Sequence, residues 1–374
     1  MLLELVRAEG IYLYDTQDKA YIDLISGFAV SNIGHSHPKV LEAVRTQTEK
    51  YMHLMVYGEV VQTPQVLYAK ALTDHLPKQL NTVYFTNSGA EAVEAAMKLA
   101  KRVTNRTGII AFKNSYHGST QGALSIIGDE YWRNAYRPLL PDILHLEYNS
   151  FASLDFTTEH TACVIAETVQ AEAGIKPPSP EWMQALREKC SSTGTLLVLD
   201  EIQAGFGRTG KLWGFEHFGI VPDMVLLGKA LGGGMPLGAL VADKQLMDAF
   251  TDKPVLGHIT TFGGHPVSCA AGLAAMKALF EECWMEQVKA KEALFRSLLV
   301  HPSIKSVHSF GLWMAVEFDS FDTCKKIIDR SIEAGVLTDW FLFAPNCLRI
   351  SPPLIISEEQ VRKAAEVILT ASAV

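Results

Sequence analysis

The chain of 374 residues has no clustered cysteines, no long apolar run and no block of like charge. Its six cysteines, Cys163, Cys190, Cys269, Cys283, Cys324 and Cys347, stand singly, and no C-x-x-C occurs. A disulfide framework or a zinc site needs closer, patterned spacing, so plain buried thiols in a reduced, cytoplasmic compartment are expected. No stretch of about 18 uncharged apolar residues is present, so no bilayer-spanning helix is expected. The opening MLLELVRAEGIYLYD is too short and too charged for a secretory leader. A net charge of −8 without a basic run gives no footing for nucleic acid or an anionic membrane. Low-complexity segments, Ser/Gly linkers and internal repeats are missing too. What is there is an ordinary globular chain, 48% hydrophobic and 20% charged, with length for two or three domains at roughly 150 residues each.

Periodicity divides the chain. Alternating apolar and aromatic residues in IYLYD and AYIDL predict two short strands between Gly10 and Asp23, around the turn Asp15-Thr16-Gln17-Asp18. Pro38 to Tyr51 reads as a helix with Val40, Leu41, Val44, Gln47 and Tyr51 on one stripe. From Thr82 to Val241 short apolar runs (TVYF, GIIAF, ACVIAE, TLLVLD, DMVLLG, GALVA) alternate with helical stretches. Runs of this kind suit strands buried on both faces, which predicts an α/β fold with a mostly parallel sheet between helices. A helix-rich tail is expected from Ala270 to Leu299, then a strand in GLWMAVEF and helices at Thr323–Ala334 and from Ser357. Ser357 with Gln360 three residues on spells a capping box. The expected division is an N-terminal segment 1–45 packing with the small domain, a large α/β domain 46–267, and a small α+β domain 268–374.

One tempting motif fails on context. Gly205-Phe206-Gly207-Arg208-Thr209-Gly210 matches G-x-G-x-x-G, but KLWGFEHFG after it shows no helical stripe. Leu212, after Lys211, also lacks the hydroxyl that a P-loop gives to magnesium. A glycine-rich active-site turn is the better reading. His35-Ser36-His37 has no carboxylate or cysteine close in sequence, so no metal is expected there.

Stronger signals stand at predicted strand ends. Thr86 to Glu91 (TNSGAE) follows TVYF and opens a helix whose buried stripe is Val93, Met97 and Ala100. Ser88 and Glu91 spell a second capping box, and Gly89 lets a ligand approach the backbone at the positive end of the helix. That makes a phosphate cradle, or else only a capped helix. TLLVLD ends in Asp200 and Glu201, and DMVLLG leads into Lys229, Ala230 and Leu231-Gly232-Gly233-Gly234. In open α/β sheets ligands bind at the carboxyl ends of strands, which brings an acid and a lysine to one edge. Either residue alone could be a cap or a solvated side chain.

These segments carry a resemblance. Asn87-Ser88-Gly89-Ala90-Glu91-Ala92, Tyr116-His117-Gly118, Glu167-Thr168-Val169-Gln170, Asp200 to Gly210 and Gly228 to Gly234 resemble the class III pyridoxal-phosphate-dependent aminotransferases, in that family's order. Gly34 to Pro38, His258 to Gly264 (HITTFGG) and Leu348-Arg349-Ile350 match as well. The likeness runs over essentially the whole chain and is nearest the acetylornithine and ornithine enzymes. It implies fold type I of the pyridoxal-phosphate transferases, an ω-aminotransferase passing an amino group from an amine donor to a 2-oxo acid, and a homodimer with shared active sites. By the same likeness Lys229 would hold the cofactor as a Schiff base and shuttle the proton. Asp200 would pair with the pyridine nitrogen, Gln203 would reach the ring hydroxyl and Tyr116 would stack on the ring. Ser88, Gly89 and Ala90 would take the phosphate, joined by Thr261 reaching the phosphate of the other subunit. His117 and Glu167 would complete the cofactor contacts. Arg349 would bind the keto acid's carboxylate, Glu172 would pair with that arginine while the donor binds, and Phe28 would face the substrate.

Two positions depart from the ornithine-type pattern. Ser119 stands where those enzymes carry an arginine that grips a second carboxylate, with Arg133 and Arg137 as nearby candidates to replace it. Phe28 stands where they carry a tyrosine that meets the free α-amino group. The chain also begins late relative to the family. Another reaction on the same fold, an aminomutase or epimerase, stays open, and so does a cofactor-free binding role.

Overall fold

A computed structural model of the chain describes residues 3–55 and 57–373; residues 1, 2 and 374, at the ends of the expected segments, and residue 56 lie outside it. All six apolar runs form strands of one seven-stranded sheet. Its order is Thr82–Thr86, Gly238–Ala242, Met224–Leu227, Leu196–Asp200, Thr161–Glu167, Gly108–Phe112 and Ile143–Leu146. Only Gly238–Ala242 runs against its neighbours; the other pairings are parallel. The edge strand Ile143–Leu146 was not expected. It is short, only partly buried and interrupted by His145, so its apolar signal is weak.

Alternation along these strands sorts the core into two layers. Val198, Met224, Leu226 and Leu240 pack with the helix Gly89–Thr104, through Val93, Met97 and Ala100. Leu197, Leu199, Val225 and Leu227 point the other way, toward Trp182, Phe215 and Leu231. A period of two on a sheet covered on both faces produces this division.

Two four-stranded sheets flank the large one. Leu5–Glu9, Tyr12–Asp15 and Ala20–Asp23 form a meander whose last strand pairs in parallel with Val336–Leu337, joining the chain's beginning to its final third. The first of these strands was not expected; four of its five residues are exposed, so it shows little apolar alternation. The other sheet orders Ser306–Ser309, Met314–Glu317, Ala344–Ile350 and Trp340–Phe341, all antiparallel.

Helix ends refine the expectations. The stretch 270–299 is two helices, Pro266–Glu281 and Trp284–Leu298, broken where Cys283 turns left-handed at φ +53°. On Pro38–Lys50 the buried stripe is narrower than expected, with Leu41 exposed and Tyr51 just past the end. Ser357 and Gln360 form the full capping box. Ser88 forms only half of one: its Oγ accepts from Glu91 N, but Glu91 reaches one residue further back, to Asn87 N at 2.8 Å. Gly205 to Gly210 is a run of turns that opens no helix. Its Arg208 is buried and donates to the carbonyls of Leu312 and Pro352 and to Asn32 Oδ1 and Ser26 Oγ, tying three distant segments together. His35 and His37 bond to different acids, Asp23 and Glu282, and no cluster of three metal-ligating side chains occurs among the described residues. Five of the cysteines are buried and Cys283 is exposed, all free thiols. Among the described residues no helix is long and apolar enough to cross a membrane.

Candidate active site

Parallel strands end their carbonyls and side chains on one edge of the sheet, and the chemistry gathers there. Glu167 and Asp200 are register partners on adjacent strands, each the last residue of its strand. Lys229 stands two residues past the neighbouring strand, with its backbone in the left-handed region at φ +50°. That conformation costs a non-glycine residue about 1–2 kcal/mol and recurs at functional positions.

The Asp200 carboxylate is fixed from both sides. Its Oδ2 receives Nδ1–H of His117 at 2.7 Å, and its Oδ1 receives the backbone N–H of Ile202 at 2.9 Å. Burial disfavours the imidazolium of His117, but the hydrogen bond and charge of Asp200 outweigh it and raise its pKa. Glu167 accepts from the backbone N–H of Tyr116 at 2.9 Å and of Ala171 at 2.8 Å. Burial pushes its carboxyl up to about 7, against the nearby His117. The Lys229 amine makes no hydrogen bond among the described residues. Burial brings its amine down to about 8, with Glu172 opposing the shift and Arg349 adding to it. A neutral amine near pH 8 is a nucleophile and a proton acceptor, which an ordinary lysine is not.

These groups line a cavity of about 220 Å³, together with Gly89, Ala90, Gly118, Ser119, Val169, Gln203 and Trp313. Pyridoxal phosphate fits what is there. Each Asp200 oxygen still has a lone pair for a ring N–H, Lys229 is unspent, and the buried Oε1 of Gln203 has no partner. The helix Gly89–Thr104 presents its first backbone N–H groups beside the cavity. At Gly89 a Cβ would come within 2.6 Å of Ile202 Cδ1, so the close approach depends on glycine.

A second cavity, of about 460 Å³, shares Tyr116, Gln203 and Lys229 with the first and adds Phe28, Glu172, Asp339, Trp340, Leu342 and Arg349. Arg349 is buried here under a cage of acceptors. Its Nη2 and Nη1 donate to Glu172 at 2.9 and 3.3 Å, and its Nε to Asp339 Oδ1 at 2.8 Å. The rings of Phe341 and Phe28 lie 4.0 and 5.0 Å from its guanidinium carbon. Burial alone would push the Glu172 carboxyl up; the Arg349 guanidinium outweighs it and holds the group below the usual range. Phe28 belongs to the left-handed turn Ser26–Ala29, whose first backbone N–H groups are capped by Asp23.

Of the residues expected from the sequence, Gly89, Ala90, Tyr116, His117, Glu167, Asp200, Gln203 and Lys229 line the first cavity. Phe28, Glu172 and Arg349 line the second. Ser88 sits beside the first cavity with its hydroxyl used by the cap, and Thr261 lies exposed outside both, hydrogen-bonded to Tyr57. Arg133 and Arg137 do not replace the missing arginine: both bond to Glu130, and neither lines either cavity. Val169, Ile202, Trp313 and Asp339 were not expected. Val169 and Ile202 stood inside quoted motifs and Trp313 inside the expected strand GLWMAVEF, but TDW around Asp339 carries no signal, and only strand register brings it to Arg349.

Comparison with known proteins agrees with this geometry. The family model described as Aminotransferase class-III matches residues 1–371. The acetylornithine aminotransferase of Methanopyrus kandleri is 39% identical over 365 residues, covering 96% of this chain and 92% of that protein. The [LysW]-aminoadipate semialdehyde/glutamate semialdehyde transaminase of Sulfurisphaera tokodaii is 39% identical over 321 residues, 84% of this chain and 81% of its own. Among solved structures, an ornithine aminotransferase of Toxoplasma gondii, with partial occupancy of pyridoxal phosphate at its active site, superposes with a TM-score of 0.91 at 27% identity. It covers 100% of this chain and 90% of that one. An (S)-enantioselective omega-transaminase of Thermomicrobium roseum gives 0.91 at 28% identity, over 99% and 92%. The chain therefore belongs to the class III aminotransferases, enzymes of fold type I with pyridoxal phosphate as cofactor.

Proposed function

We propose that this enzyme moves a terminal amino group from an acetylornithine- or ornithine-like donor to a 2-oxo acid, 2-oxoglutarate, in two successive half-reactions. The observation that carries the reading is that two cavities share Lys229, Tyr116 and Gln203 in their walls. One is lined by Asp200 and Gln203, and the other is closed by the Arg349–Glu172 pair.

The bound cofactor supplies a protonated ring that withdraws electrons from the substrate carbon losing its proton. Asp200 holds the proton on the ring nitrogen, and His117 keeps its carboxylate aimed. Gln203 meets the ring hydroxyl, Tyr116 covers the ring face, and Glu167 anchors the Tyr116 backbone. Lys229 secures the cofactor and then moves the proton, a task suited to an amine brought down to about 8. Ser88, Gly89 and Ala90 receive the phosphate at the helix start. Glu172 masks Arg349 while a donor is bound and yields the guanidinium to the acceptor's carboxylate, a bidentate match.

The working unit is a homodimer in the cytoplasm, with Thr261 of each subunit completing the phosphate site of the other. The apolar side chains Val60, Val61, Val255, Leu256 and Ile259, exposed around a groove of about 690 Å³ near Thr261, support this reading. Residues 46–267 act as the large domain, and 1–45 pack with the small domain 268–374.

The test is the visible spectrum of the purified holoenzyme, with single donors and no acceptor. The panel is N-acetylornithine, ornithine, lysine, 4-aminobutyrate and putrescine. A donor that bleaches the cofactor band, with 2-oxoglutarate restoring it, establishes transamination. Turnover that needs no 2-oxo acid and releases none would instead identify a mutase or epimerase.

A further inference from the structure

Asp339 has no role in the reading above, and its surroundings pose a charge problem. It follows the strand Val336–Leu337 and faces Arg349 across the small sheet. Oδ1 accepts Nε–H of Arg349 at 2.8 Å, whereas Oδ2 has no hydrogen bond among the described residues. Glu172 already takes both Nη groups of the same guanidinium. One cation thus faces two carboxylates, and that end of the cavity carries surplus negative charge. Among the described residues the Lys229 amine bonds to neither of these carboxylates.

The rest of the wall narrows what would balance the charge. Phe28, Trp340 and Leu342 are apolar and partly exposed at this cavity, a surface for a short methylene chain. No tyrosine hydroxyl stands at Phe28 and no guanidinium at Ser119, the two places where a polar head group would otherwise be met. While Glu172 occupies both Nη groups of Arg349, a carboxylate arriving next to Asp339 would be repelled, and an ammonium would be held.

We propose that the open oxygen of Asp339 receives a second, distal ammonium group of the amine donor, making Asp339 the residue that selects donors with a free second amine over N-acylated ones. This rests on the transamination reading and names the donor class within it. Ornithine, lysine and α,ω-diamines carry the required group, and N-acetylornithine, whose α-nitrogen is a neutral amide, does not. The polymethylene spacer lies along Phe28, Trp340 and Leu342 while the reacting amine reaches Lys229.

The substitution Asp339→Asn separates this role from a merely structural one, since an asparagine Oδ1 still accepts from Arg349 Nε while the charge is gone. The half-saturating concentration for bleaching the cofactor band is measured on both holoenzymes with ornithine, putrescine, N-acetylornithine and 4-aminobutyrate. A charged hydrogen bond of about 1.5–3 kcal/mol corresponds to roughly a 10- to 100-fold preference of the wild type for the free-amine donors. That ratio is expected to collapse in Asp339→Asn, with recovery by 2-oxoglutarate retained. Calorimetric titration with N,N,N′,N′-tetramethyl-1,4-diaminobutane, a dication that cannot condense with the cofactor, should show binding weakened in the variant.

Equal losses for all four donors would assign Asp339 to holding Arg349 and overturn the proposal while leaving transamination intact. So would a wild-type preference for N-acetylornithine. Failure of every donor to bleach a cofactor-loaded protein would overturn the transamination reading, and this proposal with it.

Discussion

Lys229 shows how much one side chain owes to its surroundings. Burial costs the ammonium its hydration, and the charges of Glu172 and Arg349 partly cancel, so its amine comes down to about 8. Only the neutral amine attacks a carbonyl. The rate at which cofactor-stripped protein takes up pyridoxal phosphate should therefore rise with pH around a midpoint near 8, against about 10.4 for an ordinary lysine. Stopped-flow absorbance across pH 6–11 reads this directly, and a midpoint near 10.4 would show the amine to be unperturbed. Lys229→Ala should still bind the cofactor non-covalently and lose turnover entirely; a variant that turned over normally would remove Lys229 from the chemistry. Ser119 makes a prediction of the opposite sense. It lines the first cavity 3.1 Å from the Tyr116 hydroxyl, and among the described residues neither Arg133 nor Arg137 lines that cavity. Ser119→Arg should tighten a dicarboxylate acceptor about 10- to 100-fold relative to pyruvate, read as the ratio of KM values. No change in that ratio would mean that the second carboxylate lies elsewhere.

At the level of elements, what holds the site is the turn that resembles a nucleotide motif. Arg208 buries its guanidinium between Ser26 and Asn32 near the start of the chain and the carbonyls of Leu312 and Pro352 in its last third. Burial lowers its pKa, against the charge of Asp23. Its glycine neighbours belong to packing as well: at Gly207, with φ +86°, a Cβ would meet Met285 at 2.6 Å. Arg208→Met keeps the volume but leaves the buried acceptors unpaired, each at about 1–3 kcal/mol, so a loss of at least about 3 kcal/mol is expected. Thermal unfolding followed by circular dichroism measures it. A variant as stable as the wild type would show that water replaces the cation. The same turn also orients Phe28, because Arg208 bonds the serine that begins the left-handed segment Ser26–Ala29.

For the whole molecule the decisive surface is the apolar one around Thr261. Val61 and Val255 are 88% and 75% exposed in the single chain, and Ile259 and Phe262 are about half exposed. Monomers rarely leave such a contiguous patch in water. Sedimentation of the holoenzyme should give twice the chain mass, and Ile259→Asp, on the rim of that groove, should shift the equilibrium toward single chains. A monodisperse monomer at micromolar concentration, with cofactor bound and full activity, would refute the shared-site arrangement.

Local chemistry was readable from the order of residues. Runs of Val, Ile and Leu marked six of the seven strands of the main sheet, because a strand buried on both faces can hold little else. Strand ends carrying Asp200 and Lys229, and the helix start at Ser88 to Glu91, marked the edge where the first cavity opens. Long-range register decided the rest. The edge strand Ile143–Leu146 needs a neighbour more than it needs apolar residues, so its sequence is quiet. Glu91 passes over the Ser88 backbone to reach Asn87, whose side-chain amide also donates to Thr260 in a distant loop. Asp339 meets Arg349 only because Trp340–Phe341 folds back on Ala344–Ile350. Pattern and spacing determined which groups the chain carries and at which edge of the sheet; the pairing of strands far apart in sequence decided which charges meet, and a partner's identity is a property of that pairing.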